Sequence, residues 1–234
     1  MQLWLCPLLA FLLGSIPFGL IIARAKGIDI RQHGSGNIGA TNVLRVIGKK
    51  YGISCLFLDA LKGFIPTVVA ISCIRYAGMH NPLAIPGLAA FSQEFTIQTA
   101  QIFQVLTGLS AVLGHNYSPW IAFRGGKGIA TSAGVLIALM PAAIVIIIVV
   151  WSAVFLISKY VSLASIVAAA ILPLLTLYGS WFHGKIQDGT WNKALFVFTL
   201  IMAILAIWKH RGNITRLRQG TENRFVRKPK SSHV

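Results

Sequence analysis

The sequence predicts an all-α polytopic membrane protein with seven transmembrane helices, its N-terminus outside and its C-terminus in the cytoplasm. Three observations carry this. Of 234 residues, 56% are hydrophobic and 11% charged, and the mean hydropathy is +0.73. Several apolar runs approach the roughly 20 residues that a helix needs to cross a bilayer core. The 21 Lys and Arg are spread unevenly between those runs, and that asymmetry sets orientation. Residues 1–234 read as a single integral membrane domain.

The first span covers about residues 2–23. It lacks a basic segment ahead of the apolar run and a small-x-small cleavage site, so it reads as a retained span rather than a signal peptide. The second covers 53–77. Pro82 and Pro86, with Gln93, Gln98, Gln101 and Gln104, make residues 80–104 broken and polar. An outer loop with a short interfacial helix is expected there, leading into the third span at 97–116. Residues 129–158 form one apolar run of about 30 residues, about 45 Å as a single helix against a core of about 30 Å. Pro141 splits it, which permits two short spans at 128–140 and 142–158. Spans at 162–180 and 192–210 follow, and then a basic tail, 211–234.

Charge parity decides between one and two spans at Pro141. Arg24, Lys26, Arg31, Arg45, Lys49 and Lys50 sit in the first loop. Lys209, Arg211, Arg216, Arg218, Arg224, Arg227, Lys228 and Lys230 sit at the C-terminus. Both segments belong in the cytoplasm, so an even number of crossings separates them. Two short spans at Pro141 satisfy this, and one long span does not. Arg124, Lys127 and Lys159 then fall inside, while Arg75, Lys185 and Lys193 fall outside.

The net charge of +16 needs no nucleic acid, because basic loops between spans produce it and no soluble basic domain is present. Cys6, Cys55 and Cys73 are odd in number and without a spacing pattern. They suggest neither a disulfide framework nor a metal site.

The topology gathers three polar stretches on the cytoplasmic side: GSGNIGATNVLR (34–45), GHNYSPWIAFRGGKGIAT (114–131) and HRGNITRLRQGTENR (210–224). In the first, Gly34, Gly36 and Gly39 allow close backbone approach to a ligand. Ser35, Asn37, Thr41 and Asn42 offer donors for phosphate or carbonyl oxygens, and Arg45 can fork two oxygens of a phosphate. GSGNIG matches G-x-G-x-x-G formally, but a membrane helix and a charged loop precede it, not the strand of a dinucleotide fold. In the second, Gly125, Gly126, Lys127 and Gly128 lead into a span whose first turn holds Thr131. Free N–H groups at a helix start with an adjacent cation make an anion site. The alternative for Arg124 and Lys127 is anchoring to lipid headgroups. His115 is either a structural histidine or one that binds phosphate or moves a proton. In the third, the arginines alone would suit anionic lipids, but residues 210, 213 and 217 share one helical face, which would turn His210 and Asn213 toward the bundle.

Asp59 and Lys62 fall in the first turns of the second span, as a structural ion pair or a functional one. His183 and Asp188 form an H-x-x-x-x-D, a pattern of soluble glycerolipid acyltransferases. It lies in an outer loop across the membrane from the three motifs, so it is not expected to be catalytic.

SGNIGATNVLR, GH…FRGGKGIAT and HRGNITRLRQGTEN, in this order and spacing, resemble the three motifs of the bacterial PlsY family, the acyl-phosphate:glycerol-3-phosphate acyltransferases. The resemblance spans the whole chain. It implies a multi-pass bacterial inner-membrane enzyme with a periplasmic N-terminus and an active site facing the cytoplasm. The implied reaction moves a fatty acyl chain from acyl phosphate to the sn-1 hydroxyl of glycerol 3-phosphate, in phospholipid biosynthesis. Lysophosphatidic acid and inorganic phosphate are the products. The resemblance also implies no metal or other cofactor, no direct use of acyl-CoA, and an acyl-phosphate-producing enzyme as a functional partner. Carried over by motif, Ser35, Arg45, Lys127, His210 and Asn213 hold glycerol 3-phosphate. Asn37, Thr41, Asn42, Gly125, Gly126, Gly128 and Thr131 surround the acyl phosphate, with His115 beside them. Ser35, His115, Lys127 and His210 are the catalytic candidates, and His115, His210 or a substrate phosphate is the base. Two positions depart from the family pattern: Pro119 comes one residue late after Tyr117, and Gly212 stands where an acid is expected. The runner-up is a transporter of a phosphorylated metabolite or organic anion, suggested by Pro-interrupted short spans. The motifs' confinement to one face and the lack of an inverted repeat count against it.

Overall fold

The computed structural model describes residues 2–79 and 81–225 and is built almost wholly of helices. In chain order these are α1 (Gln2–Gly14), α2 (Phe18–Arg24), α3 (Ala40–Val46), α4 (Lys49–Cys73), α5 (Ile97–Asn116), α6 (Ile129–Leu139), α7 (Pro141–Ser158), α8 (Val161–Phe182), α9 (Lys193–Lys209) and α10 (Arg211–Arg218). Strands β1 (Ile74–Arg75) and β2 (Gln93–Glu94) pair in parallel and tie down the loop between α4 and α5. Leu8, Val149, Ile157 and Ile204 point outward and are more than half exposed, as expected where lipid is the solvent. The chain is a multi-pass membrane protein.

By length and hydropathy, 3–24, α4, 97–121, α7 and α8 can each cross a bilayer, and α9 with α10 forms a sixth candidate bent by 55°. The remaining predicted span is α6, whose 11 residues reach only about 16 Å. It starts beside Lys127. The Phe225 N–H donates to the Lys159 carbonyl oxygen (2.9 Å), so α7 ends beside the chain segment that follows α10. The two helices make a hairpin turning at Met140, with Pro141 at the first position of α7, where its missing N–H costs nothing.

Three features differ from the sequence expectation. The first span is two helices, because Pro17 has no N–H to continue the ladder. Ser118 Oγ donates to the Ser15 carbonyl (2.6 Å), Trp120 Nε1 to Ser15 Oγ (2.7 Å) and Lys62 Nζ to the Ile16 carbonyl (2.7 Å). The second span runs Lys49–Cys73 instead of 53–77. Asp59 therefore lies ten residues into α4, about 15 Å from its start, not in its first turns. Part of the expected basic tail is helix α10, while Arg227, Lys228 and Lys230 lie outside the described residues.

Small residues bring the helices together. A Cβ on Gly14 would overlap the Ala111 backbone of α5, and one on Gly134 of α6 would overlap the Ala60 carbonyl of α4. Such close approach is a main source of helix association in lipid. Val112, Leu136, Ile147, Leu172 and Met202 form a core joining α5 through α9.

Candidate functional site

One cavity of about 730 Å³ collects side chains from all three motifs. Its polar end holds Ser35, Asn37, Thr41, Arg45, Lys127, His210, Asn213 and Glu222. From there it continues as an apolar channel between α7, α8 and α9, past Phe155, Trp151, Ile147, Ala168, Leu172 and Met202. From Ser162 to Leu172 the channel follows α8 for about 15 Å. Such a shape suits an amphiphile with an anionic head and an apolar tail.

Local sequence explains how the first motif presents its groups. Gly34 and Gly36 take positive φ (61° and 69°), which glycine adopts without strain. The loop wraps around Asn42. Its Oδ1 accepts from the Ser35 N–H (2.9 Å), and its Nδ2 donates to the carbonyls of Ile30 (3.3 Å), His33 (3.0 Å) and Asn37 (2.9 Å). Asn42 is buried, and its amide is committed to shaping the loop. Asn42 lines the cavity as well, and its amide positions Ser35 and Asn37 there. Asn37 Oδ1 accepts from the Gly39 N–H (3.0 Å), which leaves its Nδ2 for the cavity. Thr41 and Arg45 follow on α3.

In the second motif, Lys127 and Gly128 reach the cavity, with Gly128 as the left-handed cap of α6 (φ 79°). Gly125, Gly126 and Thr131 do not line it, contrary to expectation. A Cβ on Gly125 would overlap the His115 carbonyl, and one on Gly126 would overlap the His115 ring. The Gly126 N–H donates to the His115 carbonyl (3.1 Å). These glycines let the loop close on the end of α5; they do not clear space for a ligand. Thr131 is wholly buried behind the wall, where its carbonyl lies against Gly63. Sequence spacing shows that a glycine clears room without showing for what.

The third motif is organised by an acid. Asn213 Nδ2 donates to Glu222 Oε1 (2.6 Å), Ser162 Oγ to the same oxygen (2.8 Å) and Arg216 Nε to Oε2 (2.8 Å). With its Nδ2 held there, Asn213 turns Oδ1 to Lys127, whose Nζ donates to it. His210 Nδ1 lies 2.7 Å from the Ala206 carbonyl. A carbonyl only accepts, so Nδ1 carries the proton and Nε2 is the lone-pair nitrogen. Burial raises the Glu222 pKa, but the hydrogen bonds from Asn213, Ser162 and Arg216 outweigh it and hold the carboxyl below its usual value. Burial lowers Lys127 to about 8, with Glu222 pulling it up and Arg216 and Arg45 pushing it down. The chain after α10 completes the rim: Arg45 donates to the Asn223 carbonyl (3.3 Å) and lies 5.1 Å from the Phe225 ring.

The sequence motifs thus supplied Ser35, Asn37, Thr41, Asn42, Arg45, Lys127, Gly128, His115, His210 and Asn213 to one cavity. They did not reveal Ser162, Trp151, Phe155 or the roles of Glu222 and Phe225. Only Glu222 carried a signal, as an acid in a stretch otherwise basic. Arg124, Arg211 and Arg218 are exposed and do not line the cavity.

Residues 4–220 match the family model for glycerol-3-phosphate acyltransferase. A glycerol-3-phosphate acyltransferase of Aquifex aeolicus is 41% identical over 92% of this chain and 95% of that protein. Its counterpart in Desulforudis audaxviator is 43% identical over 93% and 92%. Among solved structures, the integral membrane glycerol 3-phosphate acyltransferase PlsY in its glycerol 3-phosphate form superposes with a TM-score of 0.78 at 37% identity, over 97% of this chain and 96% of that one. The lysophosphatidic acid form gives 0.76 at 36%.

Proposed function

Since the chain belongs to the glycerol-3-phosphate acyltransferase family and is a membrane acyltransferase, we propose that its donor is acyl phosphate and its product lysophosphatidic acid. The observation that carries this is a cavity that is cationic at one end and apolar along the other. Two phosphates bring about three to four negative charges near pH 7, and Arg45, Lys127 and the α6 N-terminus face them. The apolar channel takes the acyl chain. The sn-1 hydroxyl oxygen bonds to the acyl carbon, the carbon–oxygen bond to phosphate breaks, and phosphate leaves with the hydroxyl proton as its net gain. Acyl phosphate is already activated, so positioning and charge stabilisation suffice. Ser35, Arg45, Lys127, His210 and Asn213 hold glycerol 3-phosphate, while Asn37, Thr41 and Gly128 face the acyl phosphate. Arg24, Lys49 and Lys209 lie at the same end of the bundle as the polar cavity, which supports a cytoplasmic active site in a bacterial inner membrane. Palmitoyl phosphate and glycerol 3-phosphate, given to purified protein, yield lysophosphatidic acid and phosphate, with palmitoyl-CoA inert as donor. Product from the thioester alone would overturn the donor assignment. No product from either donor would revive the transporter reading.

Two further outcomes follow from the same cavity. Lys127 must be charged to clamp phosphate, and its charge is lost as pH rises through about 8. kcat/KM for glycerol 3-phosphate should therefore fall about tenfold per unit above that pH, since it reports the free enzyme. Bound phosphate draws the lysine pKa up, so kcat holds to higher pH. Lys127→Arg, which stays charged, removes this alkaline limb.

Ala168 faces the apolar channel and is 6% exposed. Ala168→Leu should block the deep channel at a cost of about 1–3 kcal/mol for chains that reach it. Competition between palmitoyl and octanoyl phosphate then shifts toward octanoyl by about 5- to 150-fold.

A further inference from the structure

Asp59 and Lys62 of α4 form an ion pair of 2.8 Å with both side chains only 3% exposed. Snorkelling to water does not relieve them. Charges kept inside a membrane protein are costly, and such pairs mark functional positions. Lys62 has a second partner, the Ile16 carbonyl at the break between α1 and α2 (2.7 Å). Asp59 has two further neighbours: the Cys55 thiol donates to its Oδ2 (3.7 Å), and its Oδ1 lies 3.6 Å from His115 Nδ1 at the end of α5.

His115 then touches the loop that carries Lys127 in two ways. Its carbonyl accepts the Gly126 N–H, and its Nε2 edge rests where a Cβ on Gly126 would be. Asp59, His115, Lys127 and Gly128 all line the cavity. The order of contact is therefore carboxylate, imidazole, glycine loop, lysine.

We propose that Asp59 is a positioning residue: acting through the His115 ring, it fixes loop 125–128 so that Lys127 and the α6 N-terminus meet the phosphate of glycerol 3-phosphate. This rests on the glycerol 3-phosphate site described above. It gives the buried charge a role that a bare structural pair would lack. At 3.6 Å the carboxylate is too far from Nδ1 for a hydrogen bond, so it acts on the ring by charge, favouring a proton on the nitrogen that faces it. The ring plane sets how closely Gly126 can approach. Lys62 compensates the carboxylate charge.

The test is a double-mutant cycle of Asp59→Asn and His115→Gln, read by calorimetric binding of glycerol 3-phosphate to detergent-purified protein and by steady-state kinetics. Each single variant should weaken binding and raise KM for glycerol 3-phosphate by between about 10- and 100-fold, as a misplaced clamp would. kcat should stay within about threefold, because the lost contact is uniform binding. The double variant should be no weaker than the worse single one, since both act through one path. Where Asp59→Asn leaves Lys62 uncompensated and the protein does not fold, Asp59→Asn with Lys62→Met removes both charges and replaces Asp59→Asn as the first arm of the cycle. Multiplied losses in the double variant would overturn the proposal. So would a normal KM with only a lower melting temperature, the signature of a purely structural pair. If the wild-type protein bound no glycerol 3-phosphate, both this inference and the functional reading would fall, whereas binding with multiplied losses sinks the inference alone.

Discussion

Lys127→Ala should lower kcat/KM for glycerol 3-phosphate by about 30- to 4,000-fold, the range for truncating one partner of a buried charge pair at about 2–5 kcal/mol. Most of the loss should appear in KM. The substrate phosphate is present in both the ground state and the transition state, so its clamp contributes uniform binding. Two effects on the fold oppose each other. Burial lowers the Lys127 pKa, which means that the folded protein bears a cost for its charge. Removing the ammonium leaves Asn213 Oδ1 without its donor, while the other half of that amide stays on Glu222. The melting temperature in detergent is expected to be unchanged or slightly higher. A variant with normal KM would remove the anion clamp from the reading altogether. A variant with a lowered melting temperature and normal KM would make Lys127 a structural residue.

Helix positions were legible where a residue forces them. Pro141 must break an apolar run too long for the bilayer, and α6 and α7 meet there. Pro17 is as forceful, yet the run around it has the length of one span, so nothing demanded a break. Lys49 and Lys50 look like loop residues, yet α4 begins with them, because a lysine in the first turn can lay its stem along apolar surface and carry its ammonium into water. That resemblance to a loop hid the depth of Asp59. For the site, composition and motif order brought the right segments together. They did not distinguish groups facing a ligand from groups already engaged by the protein. Asn42 and Ser35 both offer polar atoms in the same loop, but four backbone bonds consume the Asn42 amide. Gly126 and Gly128 are both glycines of one loop, but one yields to an imidazole and the other caps a helix at the cavity. Which partner a group takes depends on residues far along the chain, such as the 86 positions between Lys127 and Asn213. No local pattern encodes that.

Glu222→Gln is the sharper probe of how the three motifs act together. The carboxylate accepts from three side chains, and its own is 5% exposed. Glutamine keeps the shape but has one acceptor oxygen. If that oxygen faces Asn213 and Ser162, the new NH2 meets the Arg216 guanidinium, donor against donor. If the amide turns over, Asn213 and Ser162 lose their acceptor. Either way a buried donor goes unsatisfied, at about 1–3 kcal/mol. Glu222→Ala leaves Asn213 and Ser162 buried without an acceptor, each at about 1–3 kcal/mol, while Arg216, 39% exposed, turns to water. The functional consequence travels through Asn213. Released from Glu222, its amide can present Nδ2 instead of Oδ1 to Lys127 and repel the ammonium. Loss of the carboxylate charge adds a second effect with a definite sign. Glu222 raises the Lys127 pKa, so its neutralisation lets that pKa fall below about 8. The alkaline limb of kcat/KM should move to lower pH. Destabilisation alone would reduce the active fraction at every pH and leave the limb where it was. A pH profile of the folded Glu222→Gln enzyme therefore separates the two roles of this acid. An unmoved limb would mean that Glu222 holds the tail in place and does nothing to the lysine's charge.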